Sequence, residues 1–220
     1  MTTSLVTGAN RGIGLELCRQ LAARGDRVLA ACRNSSPALD ALQVEVLAGV
    51  DVADDASVAT LAHRLAGTPL DLLVNNAGVY AHTALDHLDL AAIRRQFEVN
   101  AVGPLRVTAA LLPLLHERSK VAIITSRMGS IGDNGSGGEY GYRMSKAAVN
   151  AAGMSLARDL RPRGIAVAII HPGMVDTDMG SLRGIPPAES VRGILARVDA
   201  LTLERSGAFW HATTGEVLPW

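Results

Sequence analysis

Ser4-Leu-Val-Thr-Gly-Ala-Asn-Arg-Gly-Ile-Gly14 packs three structural signals into one short stretch. Leu5–Thr7 is an apolar run of the kind that forms a buried parallel strand. Gly8, Gly12 and Gly14 follow it, and Leu15, Leu17, Cys18 and Leu21 then recur at helical spacing. Strand, glycine turn and helix in succession form the context in which a glycine motif acquires a ligand. The missing side chains let the backbone approach a pyrophosphate, while the helix N-terminus supplies amide donors and the positive end of its dipole. The turn residues Gly8, Asn10, Arg11, Gly12, Ile13 and Gly14 are therefore expected to cradle a dinucleotide. Their spacing is G-x-x-x-G-x-G, which differs from the common G-x-G-x-x-G fingerprint.

Working outward, strand-like runs recur at 5–7, 27–32, 44–50, 70–75, 121–126, 166–171 and 207–210. Amphipathic stretches near 11–24, 55–66, 88–116, 142–161 and 187–200 separate them, with a short helix at 37–42 after Ser35, Ser36 and Pro37. Alternation of this kind predicts an α/β fold, a single Rossmann domain over 1–220 whose doubly wound parallel sheet has about seven strands. No linker divides the chain. Gly132–Gly141 reads as a loop feeding the helix that begins near Tyr142, and residues 174–187 read as a mobile substrate loop.

Tyr142 and Lys146 lie four apart in Tyr142-Arg-Met-Ser-Lys146, so a helix sets a phenol and an ammonium on one face. The ammonium is expected to favour the phenolate and lower the tyrosine pKa, tuning it for proton exchange with a carbonyl or alcohol oxygen. Ser126, at the end of a strand, is the expected donor that holds that oxygen. Tyr140 has no lysine at this spacing and is expected only as a loop or substrate contact. Ser130 is an alternative to Ser126.

The order of Thr7-Gly-Ala-Asn-Arg-Gly-Ile-Gly14, Asn75-Asn-Ala-Gly78, Asn100, Ser126, Tyr142-x-x-x-Lys146 and Pro172-Gly173 resembles the short-chain dehydrogenases/reductases over nearly the whole chain. The segment from Ser126 to Lys146 and the ending Gly215-Glu-Val-Leu-Pro-Trp220 resemble the branch of C-factor and sniffer-type carbonyl reductases. The resemblance implies a hydride-transfer site with Tyr142 as general acid/base, Ser126 positioning the substrate oxygen and Lys146 also binding the nicotinamide ribose. It implies that Asn100 kinks its helix and holds a water near Lys146. Unaided, Asn100 reads as an unfavourable helix residue or a surface asparagine. The resemblance further places Asp51 at the adenine amino group and Val52 near its ring. The residues alone leave Asp51 as a helix N-cap or loop acid. Asn75, Ala77 and Gly78 are implied close to the cofactor, with a bracing role for the asparagines. Pro172, Gly173, Val175 and Thr177 are implied around the nicotinamide carboxamide. The spacing from Ser126 to Tyr142 exceeds the family's usual one, which points to an insertion within Gly132–Gly141. The family's C-factor members keep a second function open, a signalling or redox-sensing protein that binds NAD(P) and acts through partners.

The second strand ends Ala30-Ala-Cys-Arg33, with no acid before Asp40. An acid there would bind the 2′-hydroxyl of NAD. Arg33 instead suits a 2′-phosphate by charge and fork geometry, with Arg11 as a second candidate. NADP is the expected cofactor, preferred as NADPH over NADH.

Bulk properties narrow the classes. The chain has 220 residues with 21 basic against 21 acidic side chains and 3% aromatics, a balance that points away from nucleic acid and anionic membranes. No apolar run is long enough for a membrane span and no secretory signal is evident, so a cytoplasmic protein is expected. The six histidines show no metal-ligand spacing, and no metal is expected. Cys18 and Cys32 read as buried apolar residues. His171, ahead of Pro172, reads as packed or hydrogen-bonded. Asp176, Thr177 and Asp178 read as a turn cluster. The partner implied is a small carbonyl or alcohol substrate. The resemblance also implies a homodimer or homotetramer, paired through the helices near 88–116 and 142–161. Ala147, Ala148, Ala151, Ala152 and Gly153 supply either that surface or tight packing on the sheet.

Overall fold

The computed structural model describes residues 2–177, 179 and 184–220. Among the described residues, seven strands form one wholly parallel sheet: β1 (Thr3–Thr7), β2 (Arg27–Ala31), β3 (Glu45–Leu47), β4 (Leu70–Asn75), β5 (Leu115–Ile124), β6 (Ala166–His171) and β7 (Phe209–His211). Their order is β3-β2-β1-β4-β5-β6-β7. The chain thus turns back beside β1, and the β1/β4 crevice is the switch point at which such sheets bind ligands. The fold is the doubly wound one expected.

Each strand alternates its apolar side chains between two cores, because successive residues face opposite sides of a sheet. Leu5, Leu29, Leu73, Val121 and Val167 join one core. Val6, Ala30, Val74, Ala122 and Ala168 join the other. The first core is closed by Val58 and Leu61 of α3 (Asp55–Arg64), Val107 and Leu111 of α5 (Gly103–Leu111), and Val149 of α6 (Tyr140–Leu160). The second is closed by Leu17 and Leu21 of α1 (Gly12–Ala23), Leu39 of the short α2 (Pro37–Asp40), and Val191 and Ile194 of α7 (Pro187–Asp199).

Two departures from the sequence reading bear most on the site. The stretch 88–116 is not one helix. It comprises α4 (Leu90–Phe97), a π turn over Glu98–Val102, α5, and a 3-10 turn over Leu112–Leu114. Gly103 lies at this break because a β-carbon there would meet the Val52 side chain at 3.0 Å. The fifth strand also begins earlier than 121, at Leu115, through a register irregularity opposite Leu70 and Leu72. Polar His116–Lys120 hides this extension in the sequence. The strand also ends at Ile124, so Ser126 stands just beyond β5 rather than within it. On α6, a β-carbon at Gly153 would lie 2.8 Å from Ile169, so that position packs on the sheet.

Candidate active site

The glycine turn is closed from beneath by β4. The Thr7 hydroxyl accepts from the amides of Asn76 (3.0 Å) and Ala77 (3.1 Å), and Asn76 Nδ2 donates to the carbonyls of Thr7 (3.0 Å) and Gly8 (3.2 Å). Glycine is needed at two of the turn positions for different reasons. Gly8 takes φ 66° and approaches Ala77 Cα within 2.8 Å of where its own β-carbon would stand. A β-carbon at Gly14 would lie 2.2 Å from the Gly8 carbonyl oxygen. The backbone at the start of α1 is thereby held bare, and a cavity of ≈ 220 Å³ opens over it and runs to Tyr142 and Lys146.

Among the expected residues, Gly8, Asn10, Arg11, Gly12, Ile13, Gly14, Arg33, Asp51, Val52, Ala77, Gly78, Tyr142, Lys146, Pro172 and Thr177 line this cavity. Three do not. Asn75 closes β4 with its side chain turned into the core, donating to Thr108 Oγ1 at 3.0 Å. Gly173, at φ 91°, faces Ile185 and His211. Val175 is buried and bridges Ile185. That bridge, with the amide of Asp176 donating to the Ile185 carbonyl at 3.0 Å, fixes both described ends of the expected mobile loop. Asp178 and residues 180–183 of that loop and of the acidic cluster lie outside the described residues.

Asp51 is not the N-cap of α3; Asp54 is, accepting from the amide of Ser57 at 2.6 Å. Asp51 accepts instead from the amide of Ala53 at 2.9 Å and pairs with Arg95 at 3.3 Å. Burial pushes its carboxyl up, but the Ala53 amide, Arg95 and Arg33 outweigh burial and hold it below the ordinary value. Arg95 lines the cavity and had no sequence signal beyond its place on an amphipathic helix. Asn76, Ile124, Thr125 and Met179 were likewise missed.

At the far end of the cavity, Lys146 is buried and donates through Nζ to the Ile124 carbonyl at 3.0 Å, where β5 ends. The chain then turns through Thr125, whose hydroxyl donates to Asn150 Oδ1 at 2.7 Å, into a 3-10 turn over Arg127–Gly129. Ser126 caps this turn, accepting from the amide of Met128 at 3.2 Å. The turn lies directly on α6, since a β-carbon at Gly129 would stand 2.6 Å from the Lys146 carbonyl carbon. Only glycine permits that approach, which sets Ser126 beside the Tyr142 phenol, where it offsets part of the effect of burial. Ser130 turns away and accepts from the amide of Asp133 at 3.0 Å. Tyr140 is the exposed first residue of α6.

One electrostatic expectation is overturned. The Tyr142 phenol does not fall below its ordinary value. Burial pushes it up to about 12, Ser126 counteracts this in part, and Tyr80 adds to the rise. Lys146 Nζ lies 5.7 Å from the tyrosine ring centre, and burial pulls its own pKa down to about 8. Desolvation penalises the charged form of each group and outweighs the pairing invoked from sequence spacing. Tyr142 thus keeps its phenolic proton near neutral pH.

Asn100 is buried within the π turn, which excludes a surface role. Its Oδ1 accepts from the amide of Val79 at 2.8 Å, and its Nδ2 donates to the Val79 carbonyl at 2.8 Å and to Ser145 Oγ at 3.0 Å. His171 packs edge-on against His211 with ring centres 4.9 Å apart, and its Nδ1 is buried with no partner among the described residues. Burial first, then His211, Arg127 and Lys146, pull its pKa down to about 3. Its ring is packed, and its backbone carbonyl accepts from the Ala212 amide at 2.9 Å. Among the described residues, no His, Cys, Asp or Glu group of three could hold a metal ion, and no helix is long and apolar enough to cross a membrane.

The family profile of short chain dehydrogenases matches residues 2–184. The 1-hydroxy-2-glutathionyl-2-methyl-3-butene dehydrogenase of Rhodococcus sp. (strain AD45) is 45% identical, with all of both chains covered. The C-signal protein of Myxococcus xanthus is 50% identical over 69% of this chain and 93% of its own. Among solved structures, the NADPH-bound carbonyl reductase from chicken fatty liver superposes with a TM-score of 0.90 at 33% identity, covering 100% of this chain and 98% of its own.

Proposed function

The chain belongs to the short-chain dehydrogenase family, and on that premise we propose that it is an NADP(H)-dependent oxidoreductase acting on a carbonyl/alcohol pair. The observation that carries this reading is that Tyr142 and Lys146 line one end of the cavity that begins over the glycine turn, with Ser126 beside Tyr142. The bare backbone at Gly8 and Gly12 suits a pyrophosphate, and Arg33, exposed at the cavity rim, suits a 2′-phosphate. When bound, the nicotinamide supplies the hydride that reduces the carbonyl carbon. Tyr142 donates its phenolic proton to the oxygen as charge develops there, and Ser126 donates a hydrogen bond that positions the same oxygen. Lys146 holds a positive charge near the phenol and faces the cavity, where the ribose hydroxyls would be bound. Asn100 fixes the π turn against the loop after β4, which keeps Val79 and Gly78 beside Lys146. Asp51 and Val52 form the adenine end, and Pro172 and Thr177 the carboxamide end.

The Rhodococcus relative is named for an alcohol substrate, which supports an alcohol/carbonyl reacting pair. A second reading, a signalling or redox-sensing protein that binds NAD(P), draws support from the C-signal relative. The convergent trio favours catalysis. Exposed Leu90, Phe97, Leu105 and Met144 on α4, α5 and α6 support the expected pairing of copies. The deciding experiment is NADPH oxidation against a panel of aldehydes, ketones and quinones by wild type and Tyr142→Phe. Turnover by wild type alone supports the enzyme. Tight NADPH binding with no turnover on any substrate supports the second reading.

A further inference from the structure

Tyr142 has an aromatic neighbour that the reaction as described does not use. Tyr80 stands edge-on to it, with ring centres 5.4 Å apart and planes at 83°. This geometry is a favourable aromatic pairing. Tyr80 is 42% exposed, so part of its ring remains open beside the phenol that meets the substrate oxygen.

The loop carrying Tyr80 is clamped to the start of α6. Glu139, immediately ahead of that helix, has no capping hydrogen bond of its own to the helix. Its carboxylate instead turns to the loop: Oε1 meets His82 Nδ1 at 2.5 Å, Oε2 accepts from the amide of Thr83 at 3.4 Å, and the same carboxylate lies close enough to the Tyr80 phenol to act on it electrostatically. Thr83 returns the contact, its hydroxyl accepting from the Gly141 amide at 3.0 Å and so satisfying a donor of the first helical turn. Gln96 of α4 holds the loop from the other side, accepting from the Ala81 amide at 3.1 Å. Glu139 achieves this at φ 52°, a left-handed conformation that a glutamate rarely adopts. Strain at a non-glycine residue beside a reactive group persists where surrounding contacts over-determine it.

We propose that Glu139 is a positioning residue that holds Tyr80 against Tyr142, and that Tyr80 is a specificity determinant forming an aromatic wall for the substituent on the reacting carbonyl carbon. The inference rests on the oxidoreductase reading and adds a selectivity device to it. Neither residue transfers a proton or binds the dinucleotide. Their loss therefore changes which carbonyl compounds are turned over and leaves the cofactor site intact.

The test compares kcat/KM for benzaldehyde and for propanal, with NADPH affinity measured in parallel, in wild type, Tyr80→Ala, Glu139→Ala, the double variant and Glu139→Gly. The glycine variant removes the carboxylate and the backbone strain together, so it separates loss of the clamp from loss of fold. Tyr80→Ala is expected to lower the benzaldehyde/propanal ratio roughly tenfold, the scale of a lost aromatic contact. Glu139→Ala and Glu139→Gly are expected to lower the ratio in the same direction with NADPH affinity unchanged. In the Tyr80→Ala background, removing Glu139 is expected to change the ratio no further, because the two act as one unit. An unchanged ratio in Tyr80→Ala, or a Glu139 effect that persists undiminished without Tyr80, overturns the inference while leaving the oxidoreductase reading in place. Wild type that binds NADPH but turns over neither aldehyde nor any other carbonyl compound overturns both.

Discussion

Asn100 and Val79 exchange two hydrogen bonds of 2.8 Å, so that one side-chain amide pairs with the backbone as a neighbouring strand would. The pairing ties the π turn to the loop after β4, where Val79 would otherwise hold a half-buried amide and carbonyl unpaired. Replacing Asn100 with alanine orphans both groups. A buried unsatisfied group costs about 1–3 kcal/mol. Thermal unfolding of Asn100→Ala is expected to show a Tm several degrees below wild type, alongside weaker NADPH binding because Gly78, which lies beside Lys146 Nζ, adjoins the Asn100 side chain. An unchanged Tm would remove this structural role.

Arg33 should decide cofactor choice. No acidic side chain from the end of β2 lines the cavity, and Arg33 stands at its rim. A hydrogen bond to a charged group contributes about 1.5–3 kcal/mol, which corresponds to roughly a tenfold to hundredfold change in affinity. Arg33→Ala is expected to weaken NADPH binding by that factor and to leave NADH binding nearly unchanged. Equal weakening of the two, measured by fluorescence titration, would contradict the assignment.

The lowered pKa of Lys146 gives the reaction a pH limit. The ammonium is present below about 8 and is lost above it, while Tyr142 keeps its proton until about 12. The value of kcat/KM for NADPH reports the free enzyme's groups and is expected to fall as pH rises through about 8. Stability follows the opposite sign. The unfolded chain binds the lysine proton more tightly, so Lys146 makes folding more favourable as pH rises from about 8 to the ordinary lysine value of 10.5. A kcat/KM profile flat to pH 10 would contradict the role of the charge.

Gly14 tests the cradle without touching a charged group. An alanine β-carbon would press on the Gly8 carbonyl at 2.2 Å and on Asn76 Nδ2 at 2.6 Å. The backbone must move, and overpacking of this kind costs about 1–3 kcal/mol. Gly14→Ala is expected to lower Tm and to weaken NADPH and NADH binding alike. Wild-type affinity for both would show that the turn does not hold the pyrophosphate.

Much of this was legible in the chain because local and global signals agree. Leu70–Asn75 and Ala166–His171 are buried apolar runs with clear ends, and both form strands over those bounds. The glycine turn carries its own steric reason. Other features depend on contacts between distant segments. The π turn keeps an apolar periodicity close to helical, so 88–116 reads as unbroken. His116–Lys120 enters β5 only because β4 offers an edge there. Asn75 faces the core because β4 ends against Thr108. The tyrosine and lysine pKa values depend on burial, which spacing does not carry. Glu139 reaching Tyr80 across 59 residues left no local trace.

The central claim is hydride transfer paired with protonation by Tyr142. The most direct measurement uses NADPH deuterated at C4 on the transferred face, with mass analysis of the alcohol formed from an aldehyde that wild type reduces. Deuterium is expected on the carbinol carbon of the product. In Tyr142→Phe, loss of the general acid is expected to slow this transfer by about 10²–10⁴ with NADPH still bound. Product without deuterium, or label transfer by Tyr142→Phe at the wild-type rate, would contradict the account.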